Sequence, residues 1–423
     1  MRFFFLVLGV FGIELFFDQK VDHFSPNTST TFQQRYYVND VYYKDGGPAF
    51  IYIGGESALE EHRTQNGLVA DLAKEHQGVV YGLEHRYYGK SHPFPELTVQ
   101  NLKYLSSEQA LKDLVYFASR TSPRRPSKWF LIGGSYPGML AAWGRQRYPH
   151  VFHGALASSA PVLAKADFYE YDEMVGYALG KKCQSSLNKV MVHLDKLYAQ
   201  GKLEPFKRAL SCSQVHNDKQ FLFIVADVVA DIVQYNKPTS PNITDLCTSV
   251  KPNASNEIRL LKFVKLLNSY FHTRKKTCHD YTRKIRSTKP IENRHRRQWI
   301  YQSCNEFGFW QTASKSPSRS KHLTAEWIES FYCGPSFFSP AIGPANTKLV
   351  NARNKGLNLN PSNIIFTHGE NDPWSALSYK KTNSIVIPNG SHCNDLSTKI
   401  YNSKSFTPIR NKLKSTFRSW MNY

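Results

Sequence analysis

The sequence predicts an α/β fold, in which helices cover both faces of a mostly parallel β-sheet and a helical segment is inserted into it. Three features of the 423 residues support this prediction. Apolar runs alternate with helical patterns in the first third, helical periodicity alone follows, and strand-like runs return later. Hydrophobic residues make up 41% of the chain, which is enough for a large core and excludes disorder as the overall state.

The first third contains short apolar runs bounded by Gly or Pro, with helical patterns between them. Strands separated by helices indicate parallel pairing, because the crossover helix returns the chain to the same end of the sheet. The predicted strands are 48–53, 78–83, 128–132 and 155–158, and the predicted helices are 68–76 and 107–119.

A helical insertion is predicted after this first part. Apolar residues recur at three- and four-residue spacing over 187–198 and 221–235. Strand signals return at 363–366 and 384–387. The expected division is a first core part, a helical cap and a second core part, at residues 14–165, 166–297 and 298–423.

Residues 1–13 have the composition of a secretory signal peptide. Arg2 precedes an apolar run, and Val10 and Gly12 stand at positions −3 and −1 of a cleavage site after Gly12. A membrane span needs about 20 apolar residues, so this run is too short for one; the alternative is a buried strand. We expect a secreted protein, or one in the lumen of lysosomes or endosomes, without a membrane span.

Sequons and cysteines agree with a secretory route. Asn27, Asn242 and Asn253 begin sequons in polar surroundings and are the predicted glycosylation sites, whereas Asn389 lies beside a candidate catalytic histidine and is expected to stay unmodified.

The seven cysteines show no Cys-x-x-Cys spacing, so no metal site is expected. In an oxidising compartment they form up to three disulfides and leave one thiol, with internal pairing expected within 183–278. The sequence leaves the pairing open.

The formal net charge is +21, from 54 Lys+Arg against 33 Asp+Glu. Most of the excess lies in two segments, residues 274–297 and 396–423. A solvated surface with loose ends is the simpler interpretation, and acidic glycans or acidic peptides are candidate partners. Neither segment has a recognisable nucleic-acid module, so no nucleic acid partner is expected. The sequence leaves open whether the chain forms a homodimer.

The most informative segment places Ser135 between a predicted strand and a predicted helix. This is the pattern of a nucleophile elbow, and it makes the predicted fold an α/β-hydrolase core with an inserted α-helical cap. Gly133 and Gly138 allow the close backbone approach that the turn needs, although Pro137 replaces the last Gly of the usual Gly-x-Ser-x-Gly. The helix N-terminus favours an anionic centre, and the backbone N–H of Tyr136 is the first candidate oxyanion donor.

A serine nucleophile needs a base and an acid that orients the base. Asp372 and His392 each follow a predicted strand, in the chain order Ser, acid, His that this fold uses. We therefore predict a triad of Ser135, Asp372 and His392. Local structural roles are expected for the other candidates, which are His85, His92, His368 and Asp395.

A second oxyanion donor is expected from the loop after a neighbouring strand. The segment Ile53-Gly54-Gly55-Glu56 fits this role, with the backbone N–H of Gly55 or Glu56 as the donor. The Glu56 side chain has two further interpretations, namely contact with a charged substrate terminus or a salt bridge to Arg86.

Motifs along nearly the whole chain outside the cap carry a resemblance to a known family. They are Gln19–Phe24, Ile53–Glu56, Glu84–Gly89, Leu105–Leu111, the Ser135 elbow, Trp299–Phe309 and the loops of Asp372 and His392. Together they resemble the family of prolyl carboxypeptidase, dipeptidyl peptidase II and thymus-specific serine protease. The Cys-x-Glu-Phe-Gly-Phe form at 304–309 and the Ser-His-Cys at 391–393 look most like the thymus-specific branch.

The resemblance implies a serine exopeptidase that acts on peptide substrates without a cofactor, with a cap that narrows the cleft. It also implies that Ser135 is the nucleophile, Asp372 the orienting acid and His392 the general base, with a preference for substrates near a proline. The segment after Gln302 matches neither the carboxypeptidase nor the dipeptidase branch, so the scissile position stays open.

Two alternatives accompany this prediction. An esterase or lipase on the same fold is one, because the elbow alone does not distinguish the substrates. The other is a catalytically impaired, cationic secreted binding protein on a hydrolase scaffold, which would follow if Pro137 distorted the elbow.

Overall fold

The structure is a computed structural model that describes most of the chain. The described residues are 14–26, 29–121, 126–239, 241–251, 254–281, 283–293, 295–315 and 317–422. The signal peptide predicted at 1–13 and the sequon asparagines Asn27 and Asn253 lie outside them.

A mixed sheet forms the centre of the fold. The strands of the described chain are β1 (Glu14–Lys20), β2 (Thr31–Asn39), β3 (Ala49–Ile53), β4 (Val79–Leu83), β5 (Trp129–Gly134), β6 (Phe152–Ser158), β7 (Lys165–Asp167), β8 (Gly308–Trp310), β9 (Ile364–Gly369) and β10 (Ser384–Ile387). Eight of them form one sheet in the order β1-β2-β4-β3-β5-β6-β9-β10. β2 runs antiparallel to both β1 and β4, and the other neighbours are parallel.

Helices surround this sheet and form the insertion. The α-helices of the described chain are α1 (His62–Gln65), α2 (Gly67–His76), α3 (Val99–Leu102), α4 (Ser107–Arg120), α5 (Tyr136–Arg147), α6 (Glu170–Leu179), α7 (Lys181–Ala199), α8 (Glu204–Ala209), α9 (Asp218–Gln234), α10 (Ile243–Ser249), α11 (Asn256–Thr273), α12 (Arg283–Arg286), α13 (Arg296–Gln302), α14 (Ala325–Tyr332), α15 (Thr347–Asn354), α16 (Thr398–Tyr401) and α17 (Thr407–Met421). Among the described residues, no helix is both long enough and apolar enough to cross a membrane.

The predicted α/β class is confirmed, and the six predicted strands are present with ends within three residues of the predicted ones. Alternating side chains of β5 show why the sheet is covered on both faces. Phe130 and Ile132 pack on one face with residues of α2 and α17, whereas Leu131 packs on the other with residues of α4 and α5. The sequence prediction missed β1, β2, β7 and β8.

The helical segment lies between β7 and β8, and these two strands pair in parallel. The chain therefore leaves the core and returns to it at neighbouring positions. Two disulfides lie within this segment, which confirms the internal pairing expected for it: Cys183–Cys247 joins α7 to α10, and Cys212–Cys278 joins the loop after α8 to the segment after α11. A third, Cys304–Cys333, follows the cap, and Cys393 is the remaining thiol. The exact domain boundaries stay a prediction.

The two basic segments are only partly solvated surface. The C-terminal segment contains α17, whose Leu413 and Phe417 are buried against the sheet. In the other segment, Arg296 lies over the ring of Tyr281 at 4.1 Å, and the buried Arg297 donates to three backbone carbonyl groups. The expected solvated surface with loose ends therefore describes only part of each segment.

Candidate active site

Ser135 occupies the sharp turn between β5 and α5. Its backbone has φ of 63° and ψ of −130°, a conformation that non-glycine residues rarely adopt and that concentrates at functional sites. Its N–H donates to the carbonyl of Ser158 at the end of β6, over 2.8 Å, which fixes the turn to the neighbouring strand. The serine side chain is thus presented at the start of a helix beyond the end of the parallel strands.

The residues around this turn leave no room for larger side chains. A Cβ atom on Gly133 would lie 2.2 Å from the carbonyl oxygen of Pro137, and one on Gly138 would lie 2.8 Å from the carbonyl oxygen of Ser158. Pro137 itself stands in the first turn of α5, where the missing N–H has no intrahelical partner to lose. The helix begins at Tyr136 all the same, so the structure gives no sign that Pro137 distorts the elbow.

The structure brings Asp372 and His392 together from the loops that follow β9 and β10. Nδ1 of His392 lies 2.9 Å from Oδ1 and 3.0 Å from Oδ2 of Asp372. Both residues are buried, and the backbone N–H of Trp374 donates to Asp372 Oδ1 over 3.1 Å. Close packing of the two loops depends on Gly369, where a Cβ would lie 2.4 Å from the backbone of Gly390.

The electrostatics of His392 favour its charged form. Burial alone would lower the pKa of His392, but the Asp372 carboxylate and the neighbouring Cys393 side chain hold it well above its usual range. The Nε2 atom is buried and has no hydrogen-bond partner among the described residues. This is the atom that would face Ser135, and in ligand-free hydrolases such a bond is often long until substrate binds.

The predicted oxyanion loop lies against the start of α5. A Cβ on Gly55 would lie 2.9 Å from Pro137 Cγ, so this glycine permits the approach. Burial raises the pKa of the Glu56 carboxyl to about 7, although the N–H groups of Glu56 and Tyr136 and the charge of His392 act in the opposite direction.

The suggested salt bridge from Glu56 to Arg86 is wrong. The buried Arg86 guanidinium instead binds Asp113, with Nε 2.6 Å from Oδ2, and donates to backbone carbonyls as well. No lysine or arginine of the described residues forms an ion pair with Glu56. Glu56 itself lines the cleft described below.

Asp395, His92 and His85 have local hydrogen-bond partners. Asp395 accepts hydrogen bonds from the hydroxyls of Ser158 and Thr367, over 2.5 and 2.7 Å. His92 Nε2 lies 3.0 Å from the carbonyl oxygen of Gly89, and burial lowers the pKa of His368 to about 4. Of the two sequon asparagines that the structure describes, Asn242 and Asn389, the first caps α10 by accepting a hydrogen bond from the N–H of Asp245.

A cleft of about 580 Å³ opens beside the elbow. It is lined by residues 52–60 of the oxyanion loop and its continuation, by cap residues 235–239 and by residues 392–394. Free Cys393 is in this lining, next to His392. Residues of the helical segment therefore supply one wall of the cleft.

Sequence reasoning missed Gln234, the last residue of α9. Its carbonyl accepts the backbone N–H of His392 over 3.0 Å, and its side chain contacts the loop of Asp372 through Trp374. A polar residue at a helix end carries no signal of such contacts, because they join segments more than 130 residues apart.

The strand order, with an antiparallel first pair and the serine turn after β5, defines an α/β-hydrolase. The chain belongs to the serine carboxypeptidase S28 family, whose family model matches residues 19–412. It is therefore a serine peptidase, as predicted.

Three relatives illustrate the family. The chain is 34% identical over 395 residues to the probable serine protease EDA2 of Arabidopsis thaliana, and the matched region covers 89% of this chain and 78% of the relative. It is 29% identical over 416 residues to the human thymus-specific serine protease, covering 90% and 80%. It is 30% identical over 434 residues to the human lysosomal Pro-X carboxypeptidase, covering 91% and 83%. These findings confirm the resemblance drawn from the motifs.

Proposed function

We propose that this peptidase is an exopeptidase that hydrolyses short peptides through Ser135, Asp372 and His392. The observation that carries the proposal is the buried hydrogen bond between His392 Nδ1 and Asp372 beside the serine elbow. In this mechanism Asp372 holds the Nδ1–H tautomer, so that Nε2 accepts the Ser135 proton while Oγ attacks the scissile carbonyl.

The rest of the cycle follows from the same groups. The N–H of Tyr136 and that of Gly55 or Glu56 stabilise the oxyanion of the tetrahedral intermediate. The protonated His392 then gives its proton to the leaving amine, and the acyl group stays on Ser135. Water, deprotonated by His392, releases the acyl group and restores the enzyme.

The cleft supports action on short peptides. Its volume of about 580 Å³ is that of a small-molecule site rather than of a groove for an extended protein chain. The wall formed by cap residues 235–239 limits the length of substrate on that side. A peptide terminus suits such a space better than an internal segment does.

A preference for proline rests on two observations. One relative is named lysosomal Pro-X carboxypeptidase. Beside His392, the ring of Trp374 lies 6.3 Å from the imidazole and packs edge-on against Phe309 at 5.2 Å. Aromatic faces pack well against a pyrrolidine ring, which exposes only C–H groups.

We extend the proposal to the cellular location of the protein and to its further binding partners. Three disulfides suit an oxidising compartment, and one relative is named lysosomal, so we assign the chain to a secreted or lysosomal route. Acidic glycans are proposed to bind the exposed part of the basic segments. Retention on heparin that falls steeply with salt supports this, and retention independent of salt contradicts it.

Two measurements test the proposed activity. A fluorophosphonate probe labels the wild type and not Ser135→Ala; absence of wild-type labelling, or equal labelling of the variant, contradicts the serine mechanism. A peptide library with free and blocked termini then separates exopeptidase from endopeptidase action. Cleavage of doubly blocked peptides at internal bonds contradicts the exopeptidase assignment.

A further inference from the structure

Gln234 lies where the cap meets the loops of both Asp372 and His392. Its side-chain Oε1 accepts two hydrogen bonds, from the hydroxyl of Tyr171 over 2.8 Å and from Trp374 Nε1–H over 2.9 Å. Tyr171 belongs to cap helix α6 and is fully buried, so Oε1 joins two cap helices to the loop of the proposed acid.

The backbone of the same residue holds the other loop. Gln234 ends α9, and its carbonyl is one of the last four of the helix, which have no intrahelical partner. The N–H of His392 satisfies that carbonyl over 3.0 Å. Two residues further on, the carbonyl of Asn236 accepts the hydroxyl of Ser391 over 3.1 Å.

These contacts close a ring. Gln234 binds Trp374, whose N–H donates to Asp372 over 3.1 Å, and Asp372 binds the imidazole of His392. The N–H of His392 returns to the carbonyl of Gln234. Each of the four residues is therefore held by two others of the ring.

We propose that Gln234 is a positioning residue, which sets the relative placement of Asp372 and His392 from the cap. The inference rests on the proposed catalytic roles of those two residues. Gln234 itself touches no reacting atom, and its side chain does not line the cleft. The cap is thereby part of the apparatus that aligns the base, in addition to being a wall of the cleft.

The atoms that form the hydrogen bonds of the Gln234 side chain determine which variants test the inference. Both side-chain bonds use Oε1 as acceptor, so Gln234→Glu keeps them, whereas Gln234→Leu preserves approximate size and removes the acceptor. Gln200, which follows α7 at another helix end of the cap, is exposed and is the matched site for the same change, Gln200→Leu.

Kinetics on the full chain test the inference. We expect Gln234→Leu to lower kcat about tenfold with KM nearly unchanged, because small displacements of a catalytic group slow a reaction steeply. The acid limb of its pH–rate profile moves to lower pH, since a looser contact with Asp372 raises the pKa of His392 less. Gln234→Glu retains most of the wild-type kcat, and Gln200→Leu retains all of it.

The outcomes separate this inference from the proposed function. Wild-type labelling by the fluorophosphonate probe together with unchanged kcat in Gln234→Leu overturns the positioning role alone. A fall in kcat that merely follows the folded fraction, with an unmoved pH profile, overturns it too, and thermal unfolding measures that fraction. If the wild type is not labelled, the proposed function fails and this inference fails with it.

Discussion

The hydroxyl of Tyr136 donates a hydrogen bond to Nε2 of His85 over 2.9 Å. The other ring nitrogen, Nδ1, lies 2.7 Å from the carbonyl oxygen of Arg86 and so must carry the proton. Burial lowers the pKa of His85 to about 4, which keeps the ring neutral and Nε2 an acceptor. The residue proposed to supply an oxyanion N–H is thus anchored by its own side chain.

Replacing Tyr136 with Phe tests this anchor. The change leaves Nε2 of His85 buried without a donor, which costs about 1–3 kcal/mol of unfolding free energy. We expect kcat to fall about fivefold, equivalent to ~1 kcal/mol, because the backbone N–H loses part of its fixed orientation. Urea unfolding and steady-state kinetics measure the two effects.

The exposed Tyr42 is the matched control for this change. The residue is 39% exposed, so Tyr42→Phe is expected to leave both stability and kcat as in the wild type. Loss of stability in Tyr136→Phe without any change in kcat would show that the anchor serves folding alone.

The same substitution at two buried aspartates, Asp372 and Asp395, tests which of them orients the base. Asp372→Asn keeps the shape of the side chain but removes the charge that holds the Nδ1–H tautomer of His392, so kcat should fall by about 10³–10⁴. Asp395 binds two hydroxyl groups and not the imidazole, so Asp395→Asn should keep kcat within about tenfold of the wild type.

Hydrolysis of a fluorogenic peptide measures both variants. Thermal unfolding of each confirms that the compared samples are folded. A larger loss in Asp395→Asn than in Asp372→Asn would reverse the assignment of the acid.

The parallel strands were predictable because each is a short apolar run bounded by turn-forming residues. β3 and β10 were located almost to the residue for this reason. β1 was missed since it alternates exposed and half-buried residues at the edge of the sheet, directly after a segment interpreted as a signal peptide. β7 and β8 are three residues each, too short for any periodicity.

The residues of the candidate site also fall into those that the sequence predicts and those that it does not. Ser135, Asp372 and His392 could be proposed as a triad from the sequence because each follows a strand, and parallel strands end at one edge of the sheet. The contacts of Gln234 and His85 could not, because they depend on which helix end or loop packs there. Nor does the sequence reveal that Arg86 binds Asp113 rather than Glu56, since a carboxylate partner has no fixed spacing.

Cys393 is a thiol beside the proposed base. It lines the cleft, and a Cβ on Gly134 would lie 2.9 Å from its Sγ, so a bulky group on the sulfur would crowd the serine turn. We expect alkylation by iodoacetamide to abolish most fluorophosphonate labelling of the wild type. Cys393→Ser should be labelled with or without iodoacetamide, because the other six cysteines are in disulfides.

Mass spectrometry of the treated protein identifies the alkylated residue. Full labelling of a wild-type sample that carries the modification at Cys393 would exclude the thiol from the neighbourhood of the reacting groups.

The Glu56 carboxyl should shape the pH dependence. Burial raises its pKa to about 7, so below that pH it is neutral and above it a carboxylate faces the proposed oxyanion donors. That carboxylate also favours the charged form of His392, whereas the base must be neutral to accept the Ser135 proton. The neighbouring Tyr88, Tyr136 and Tyr235 have pKa values raised by burial and stay neutral throughout.

Glu56→Gln removes that negative charge and keeps the shape of the side chain. We expect the acid limb of kcat/KM to move to lower pH by up to about one unit, because His392 loses a group that stabilises its charged form. Activity above pH 7 should rise as well, since the amide does not repel an oxyanion. Glu60→Gln is the matched control, because Glu60 lines the same cleft but is exposed and lies 3.8 Å from Arg63. Profiles of the wild type and Glu56→Gln that superimpose would remove Glu56 from the electrostatics of the reaction, whereas a shift shared by Glu60→Gln would assign the effect to the overall charge of the cleft.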